Sequence, residues 1–274
     1  MKLLQTMLGE GLSQLKGDDY LYQFHIPKVL TSATDDLKNN KMEILGEEAH
    51  HIANVLRLKE GAIVGLFDGI GNKATGVLID VDHDRILVEL HKEKMANTEP
   101  PIEVTLYQSL PKKEKLELII QKATELGVKN IVPIITRRTI VHIDNQKVKK
   151  KVERWNKIAQ EACKQSGRAY IPKVSEPISY KSIFSQLNSQ LILIPYEAEE
   201  KRGLRQVLKS FKTSIPKSVG FFIGPEGGWD KDEIQMALDN GVHPVTLGPR
   251  ILRTETASLA VLTMILYELG DLGG

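Results

Sequence analysis

Beyond residue 101 the chain alternates short β-branched runs with longer stretches of helical period. That alternation is the signature of a parallel sheet with helices packed on its faces, the α/β class. Strands are expected over residues 102–108, 131–135, 190–195, 218–223 and 242–247, and helices over 113–126, 148–165, 230–240 and 255–269. Gly127 and Gly167 follow two of these helices as stop signals. Asp230 with Glu233 three residues later has the pattern of a capped helix start.

The residues before this region follow a different period. Ile52, Val55 and Leu56 fall at helical spacing within residues 47–58. Three alternating runs follow, over 62–67, 74–80 and 85–90, separated by turn signals at Asp68-Gly69, Gly71-Asn72 and 82–84. Several short strands in about fifty residues make a small antiparallel barrel or sandwich. Residues 1–19, with Gly9, Gly11 and Gly17, read as a weakly ordered extension, and residues 20–27 read as extended. The charged run from Lys92 to the Pro100-Pro101 pair has neither period and reads as a linker. A chain of 274 residues suits two domains. The expected division is an extension over 1–19, a first domain over 20–97 and a second over 102–274.

Composition removes several classes of function. Cys163 is the only cysteine, so there is no internal disulfide. With 7 histidines the chain offers no spaced Cys/His cluster for structural zinc. No apolar run approaches the roughly 20 residues that span a bilayer, and the N-terminal residues lack the order of a secretory signal. A cytoplasmic protein without metal or membrane is the expectation. The net charge of +2 does not by itself demand an anionic partner, but the basic residues cluster. Lys112, Lys113 and Lys115 form one group, Arg137 and Arg138 a second, and Lys147, Lys149, Lys150, Lys151 and Arg154 a third. Each is either a solvated face or a contact for nucleic acid.

Two loops that each follow an apolar strand carry most of the chemical information. Phe221-Phe222-Ile223 leads into Gly224-Pro225-Glu226-Gly227-Gly228. Val245-Thr246-Leu247 leads into Gly248-Pro249-Arg250-Ile251-Leu252-Arg253-Thr254-Glu255-Thr256-Ala257. Ligands of parallel α/β sheets bind at the carboxyl ends of strands, so both loops would open on one crevice. Glycines there admit a ligand to the backbone; a pair of tight strand-to-helix turns would have the same composition. Neither G-x-G-x-x-G leading into a helix nor a Walker sequence occurs, which disfavours a nucleotide phosphate site and leaves an adenosine-like ligand open. His50 and His51 are adjacent on a helix and point apart, so capping or surface roles suit them better than shared ligation.

These segments, with Gln108-Ser109-Leu110-Pro111-Lys112, Ile119 to Val128, Arg154-Trp155, Gln165-Ser166-Gly167-Arg168 and His50-His51 with Val55-Leu56-Arg57, closely resemble the RsmE family of 16S rRNA uridine-N3 methyltransferases. The matching motifs cover nearly the whole chain in order. The resemblance implies a SPOUT catalytic domain, whose parallel sheet is tied into a trefoil knot, a connectivity that pattern reading cannot reveal. It also implies an N-terminal PUA-like, RNA-binding β-barrel, S-adenosyl-L-methionine as cofactor, a homodimer, and 16S rRNA of the small ribosomal subunit as partner, methylated at N3 of uridine 1498. A related enzyme for another RNA site, or a non-catalytic ribosome-assembly factor, are the alternatives.

Carried over by position, the resemblance assigns cofactor binding to Leu193, Ile194 and Pro195, to Ile223, Gly224, Pro225, Glu226, Gly227 and Gly228, and to Leu247, Gly248, Ile251, Leu252, Thr254, Thr256 and Ala257. Uracil N3 must lose a proton, so Arg253 is the candidate for stabilising the developing anion, and Glu255, or a water near it, for receiving the proton. The competing reading is a local ion pair with Thr254 as N-cap of the last helix. Arg57, Lys112, Lys113, Arg137, Arg138 and Arg168 are the expected RNA contacts. Gln23 stands where family members commonly carry an arginine, and it cannot supply that charge. Leu259, Leu262, Ile265 and Leu266 form an apolar stripe expected in the core, part of which the resemblance places at the dimer interface.

Overall fold

The computed structural model describes residues 22–27, 40–91, 97–141 and 144–274. The extension expected over 1–19 lies outside the described residues, as do positions 92–96 of the linker. The described residues fall into two compact units, those up to 68 with 72–91, and 69–71 with those from 97 onward.

The first unit is a five-stranded sheet in the order β1-β3-β4-β5-β2, from β1 (Gln23–His25), β2 (Lys41–Leu45), β3 (Ile63–Phe67), β4 (Lys73–Val81) and β5 (Arg85–His91). It is not wholly antiparallel as expected, because β1 pairs with β3 in parallel. Alternation along β5 turns Ile86, Val88 and Leu90 inward, onto Phe24, Ile44, Val64, Leu66 and Leu78. A register shift between Leu78 and Asp80 in β4 bends the sheet around this core.

The helix expected over 47–58 is shorter and irregular. Its first turn, α1 (Glu47–His50), passes into a single π turn at His51–Val55, where the Leu56 N–H reaches back five residues to the His51 carbonyl at 2.9 Å. The wider turn rotates the apolar face, so Ile52 is fully buried while Val55 is 62% exposed. Arg57 follows with φ 53, a left-handed conformation that costs a non-glycine residue strain.

The second unit is a parallel sheet with helices between its strands. In chain order its elements are β6 (Glu103–Ser109), α2 (Lys115–Leu126), β7 (Asn130–Ile135), α3 (Asn145–Ser166), β8 (Lys173–Val174), β9 (Ile178–Ser179), α4 (Tyr180–Ile183), β10 (Leu191–Pro195), α5 (Leu204–Ser210), β11 (Ser218–Ile223), α6 (Lys231–Asp239), β12 (His243–Val245) and α7 (Thr254–Leu269). The strands lie in the order β12-β10-β11-β6-β7-β8, with β9 also beside β7, and every pairing is parallel. After β11 the chain passes β10 to reach the edge, so the carboxyl ends of β10, β11 and β12 are neighbours. Gly127 and Gly167 end α2 and α3 in left-handed conformation, and Asp230 and Glu233 form a complete capping box on α6. The stripe on α7 buries Leu262, Ile265 and Leu266 fully, with Leu259 half-buried against the same core.

Arg168, expected as an RNA contact, is buried instead. Its side chain is 3% exposed, and its guanidinium is fully committed within the fold. One nitrogen lies 2.6 Å from the Glu99 carboxylate, and another donates to the carbonyls of Thr124 and Val128 at 2.8 and 2.9 Å. The second Glu99 oxygen accepts the N–H groups of Ala169 and Tyr170. This pair staples the segment entering β6 to the ends of α2 and α3.

Candidate active site

The carboxyl ends of β10, β11 and β12 open on a cleft of 980 Å³, walled by the loops after each strand and by the start of α7. Its volume suits a ligand of cofactor size. Pro195, Ile223, Gly224, Pro225, Glu226, Gly227, Gly228, Leu247, Gly248, Ile251, Leu252, Thr254 and Ala257 all line it, and so does Arg253. Three positions expected there do not. Leu193 and Ile194 are fully buried, because β10 is an inner strand covered on both faces, and Thr256 is exposed outside the lining.

The first loop is braced from behind. Trp229 is buried, and its indole N–H donates to the Pro195 carbonyl at 3.0 Å, tying the loop after β11 to the end of β10. A Cβ on Gly224 would come within 3.1 Å of that indole. Gly224→Ala is therefore expected to cost about 1–3 kcal/mol by overpacking a ring that cannot retreat. A chemical denaturation series should show the lowered midpoint with an unchanged slope.

Thr254 does not cap α7. Arg253 occupies the N-cap position with no side-chain capping bond, and Thr254 begins the helix proper. Its hydroxyl instead donates to the Gly224 carbonyl at 2.8 Å and accepts from the Gln108 amide at 3.1 Å. Tertiary partners, the Gln108 amide as donor and the Gly224 carbonyl as acceptor, have taken the place of the helix N–H groups that a cap would accept from.

Lys115, on the first turn of α2, joins the two halves of the site. Its ammonium lies 3.2 Å from Glu226 and 3.1 Å from Glu255, and these two carboxylates hold it above its ordinary pKa. Burial pushes the Glu255 carboxyl up. Its own N–H at the helix start, Lys115 and Arg253 outweigh that effect and keep it below the usual range. Glu226 is depressed in the same way, against its burial, by its own N–H, the Lys112 N–H and Lys115. Both carboxylates are thus ionised at neutral pH. Glu255 does not line the cleft itself; it is paired with Lys115.

Among the expected RNA contacts, Lys112 and Lys113 are exposed on the turn before α2. Arg138 donates to the Gly227 carbonyl at 2.9 Å, bracing the cofactor loop, and Arg137 is paired with Asp230 and Asp232 at 2.7 and 2.8 Å. Both remain about half exposed. Arg57 is exposed in the first unit.

The lining residues outside the expected set are Tyr196, Glu197, Glu199, Glu200, Trp229, Thr246, Pro249 and Arg250. A signal existed for the acidic group, since Glu197, Glu199 and Glu200 follow a strand end just as the glycine loops do. Glu199 accepts the N–H groups of Arg202 and Lys201, which hold its carboxyl below the usual range. Among the described residues no group of three or more His, Cys, Asp or Glu side chains converges to hold a metal, and no helix is long and apolar enough to cross a membrane.

Comparison with known proteins places this cleft in context. Residues 98–266 match the model of an RNA methyltransferase domain, and residues 44–90 that of an RNA methyltransferase PUA domain. The chain is 38% identical over 228 residues to ribosomal RNA small subunit methyltransferase E of Bacillus subtilis, covering 82% of this chain and 89% of that one. It is 32% identical over 255 residues to the protein of the same name from Buchnera aphidicola, covering 90% and 95%. A crystal structure of the Neisseria gonorrhoeae protein of that name, bound to S-adenosyl methionine, is similar with a TM-score of 0.80 at 32% identity, covering 92% of this chain and 99% of that one.

Proposed function

Since the chain belongs to the ribosomal RNA small subunit methyltransferase E family, we propose that it methylates N3 of uridine 1498 in 16S rRNA with S-adenosyl-L-methionine, as a cytoplasmic homodimer. The cleft carries this reading. Gly224, Gly227 and Gly248 give a ligand access to the backbone, and Arg253 stands at the mouth beside an ionised Glu255. The residues present fit the cofactor: a glycine-walled, half-apolar cleft takes an adenosine, and Glu197, Glu199 and Glu200 can face its cationic end.

S-Adenosylmethionine supplies an electrophilic methyl group. Transfer is an in-line displacement, so the chain's tasks are alignment and exclusion of water. Arg253 stabilises the uracil anion as the N3 proton leaves. Glu255 is a weak base because its own N–H at the helix start and Lys115 favour its ionised form, so a water near it receives the proton.

Lys112 and Lys113 position the RNA through phosphates without reading its bases. Reversing both charges with glutamate is expected to lower the salt dependence of RNA binding by up to about 0.7–0.9 in slope for each phosphate left without its lysine. Cofactor affinity should stay unchanged. Titrations against a 16S rRNA fragment at several salt concentrations measure this, and an unchanged slope removes these lysines from the interface.

The deciding experiment supplies labelled S-adenosylmethionine and small subunits that lack the modification, then locates the methyl group by nuclease digestion and mass spectrometry. Label on N3 of uridine 1498 is the expected result. Label on another nucleotide would reassign the target.

A further inference from the structure

We propose that Gln108 is a positioning residue for the cofactor loop, acting through Thr254 to fix the carbonyl of Gly224. The proposal rests on the cleft being the S-adenosylmethionine site.

Gln108 ends the part of β6 that pairs with β11, directly beside Ile223, and its side chain has no solvent exposure. Its amide nitrogen donates to the Ser109 carbonyl at 2.9 Å and to the Thr254 hydroxyl at 3.1 Å. Its amide oxygen accepts from the Ser258 hydroxyl at 2.5 Å, and that hydroxyl also lies 2.8 Å from the Thr254 carbonyl. The orientation of the amide is determined by this set. Turned over, its oxygen would face the Ser109 carbonyl, acceptor against acceptor.

The orientation of Gln108 then decides that of Thr254. A hydroxyl has one hydrogen, and because Gln108 fills an acceptor position with its N–H, that hydrogen is left for Gly224. The Gly224 carbonyl is thereby drawn toward α7. Gly224 is the first residue of the glycine loop, so the relay sets the direction in which the whole loop leaves β11. All three side chains are at least 95% buried, where each polar group must keep its partner.

Gln108→Glu tests this without changing shape. In a fully buried position the introduced carboxyl resists ionisation, so its pKa rises. While protonated it has one oxygen to accept from Ser258 and one O–H, for which the Thr254 hydroxyl and the Ser109 carbonyl compete, so the relay is kept in part. Once ionised it has no donor. Thr254 then turns its hydrogen to the carboxylate and releases Gly224.

The affinity of the purified full-length protein for S-adenosylmethionine is measured by calorimetry across pH for wild type and variant. The variant is expected to come closest to wild type at the acid end and to weaken as pH rises, by about a further tenfold at the alkaline end, the worth of one buried hydrogen bond. Parallel pH profiles would overturn the proposal, because a residue that merely fills space would not produce a difference that depends on pH. Thr254→Ser and Thr254→Val provide a second test that does not depend on the glutamate variant folding. Serine should keep the affinity, and valine should lose about tenfold at every pH; equal affinity of the two would also overturn it. Failure of the wild type to bind S-adenosylmethionine at any pH would instead remove the reading of the cleft on which the proposal rests.

Discussion

Arg168→Ala is expected to lower stability by about 3–5 kcal/mol, because it removes the charged partner of the Glu99 carboxylate, the donor to the buried Val128 carbonyl and one of two donors to the Thr124 carbonyl. For a chain of this size the loss corresponds to a fall in melting temperature on the order of 10 °C. The effect should also depend on pH, in a direction that the structure sets. Burial raises the Glu99 pKa, but the hydrogen bond and charge of Arg168 and the N–H groups of Tyr170 and Ala169 lower it further, for a net depression. A group depressed on folding stabilises the native state above its unfolded pKa, and that contribution is lost as pH falls through the folded value. The gap between wild type and variant should therefore be widest near neutrality and narrow in acid, leaving the share due to the Thr124 and Val128 carbonyls. Thermal melts at pH 7 and pH 4 measure both quantities. A gap that stays constant between them would show that the charge of Glu99 does not contribute. RNA affinity, compared at one salt concentration where both proteins are folded, should be the same, since Arg168 has no surface to offer.

What could be read from the sequence was local in origin. Gly127, Gly167 and the Asp230–Glu233 capping box act within one helical turn, so their spacing alone specifies the structure they form. The alternation of strand and helix likewise specified parallel pairing, and the glycine loops at strand ends specified where a cleft would open. Most of the failures have non-local causes. Thr254 has the composition of an N-cap, but its hydroxyl is taken by a carbonyl thirty residues away. Arg168 looks like a surface cation in a basic context, and only the folded chain brings Glu99 beside it. Val55 fits a helical stripe until one π turn rotates it outward. The passage of the chain past β10 to form β12 leaves no periodic trace, because strand order depends on pairings between distant segments. Strands of two residues, such as β8 and β9, are too short to show a period at all.

Arg253→Ala should reduce turnover at saturating cofactor by about a hundred- to a thousandfold, the usual worth of a group aimed at developing charge. Stability should change little. The side chain is exposed, makes no capping bond at the start of α7 and contributes to the cleft wall only from its rim. Affinity for S-adenosylmethionine should stay within a few-fold of wild type, whereas a cofactor-binding role would make affinity and turnover fall together. The pH dependence provides a sharper criterion. In the wild type Arg253 lowers the cost of removing the N3 proton. Without it, transfer depends on the fraction of uracil that ionises unaided, and that fraction grows with pH. Single-turnover rates of the variant should therefore rise more steeply toward alkaline pH than those of wild type, and the deficit should shrink. Lysine at this position should recover only part of the rate, since an ammonium keeps the charge but not the planar fork that can hold two acceptor atoms at once. Turnover equal to wild type in the alanine variant would sink the assignment. A deficit that stayed constant with pH would keep Arg253 in the site but make it an aligner of the RNA rather than a stabiliser of the anion.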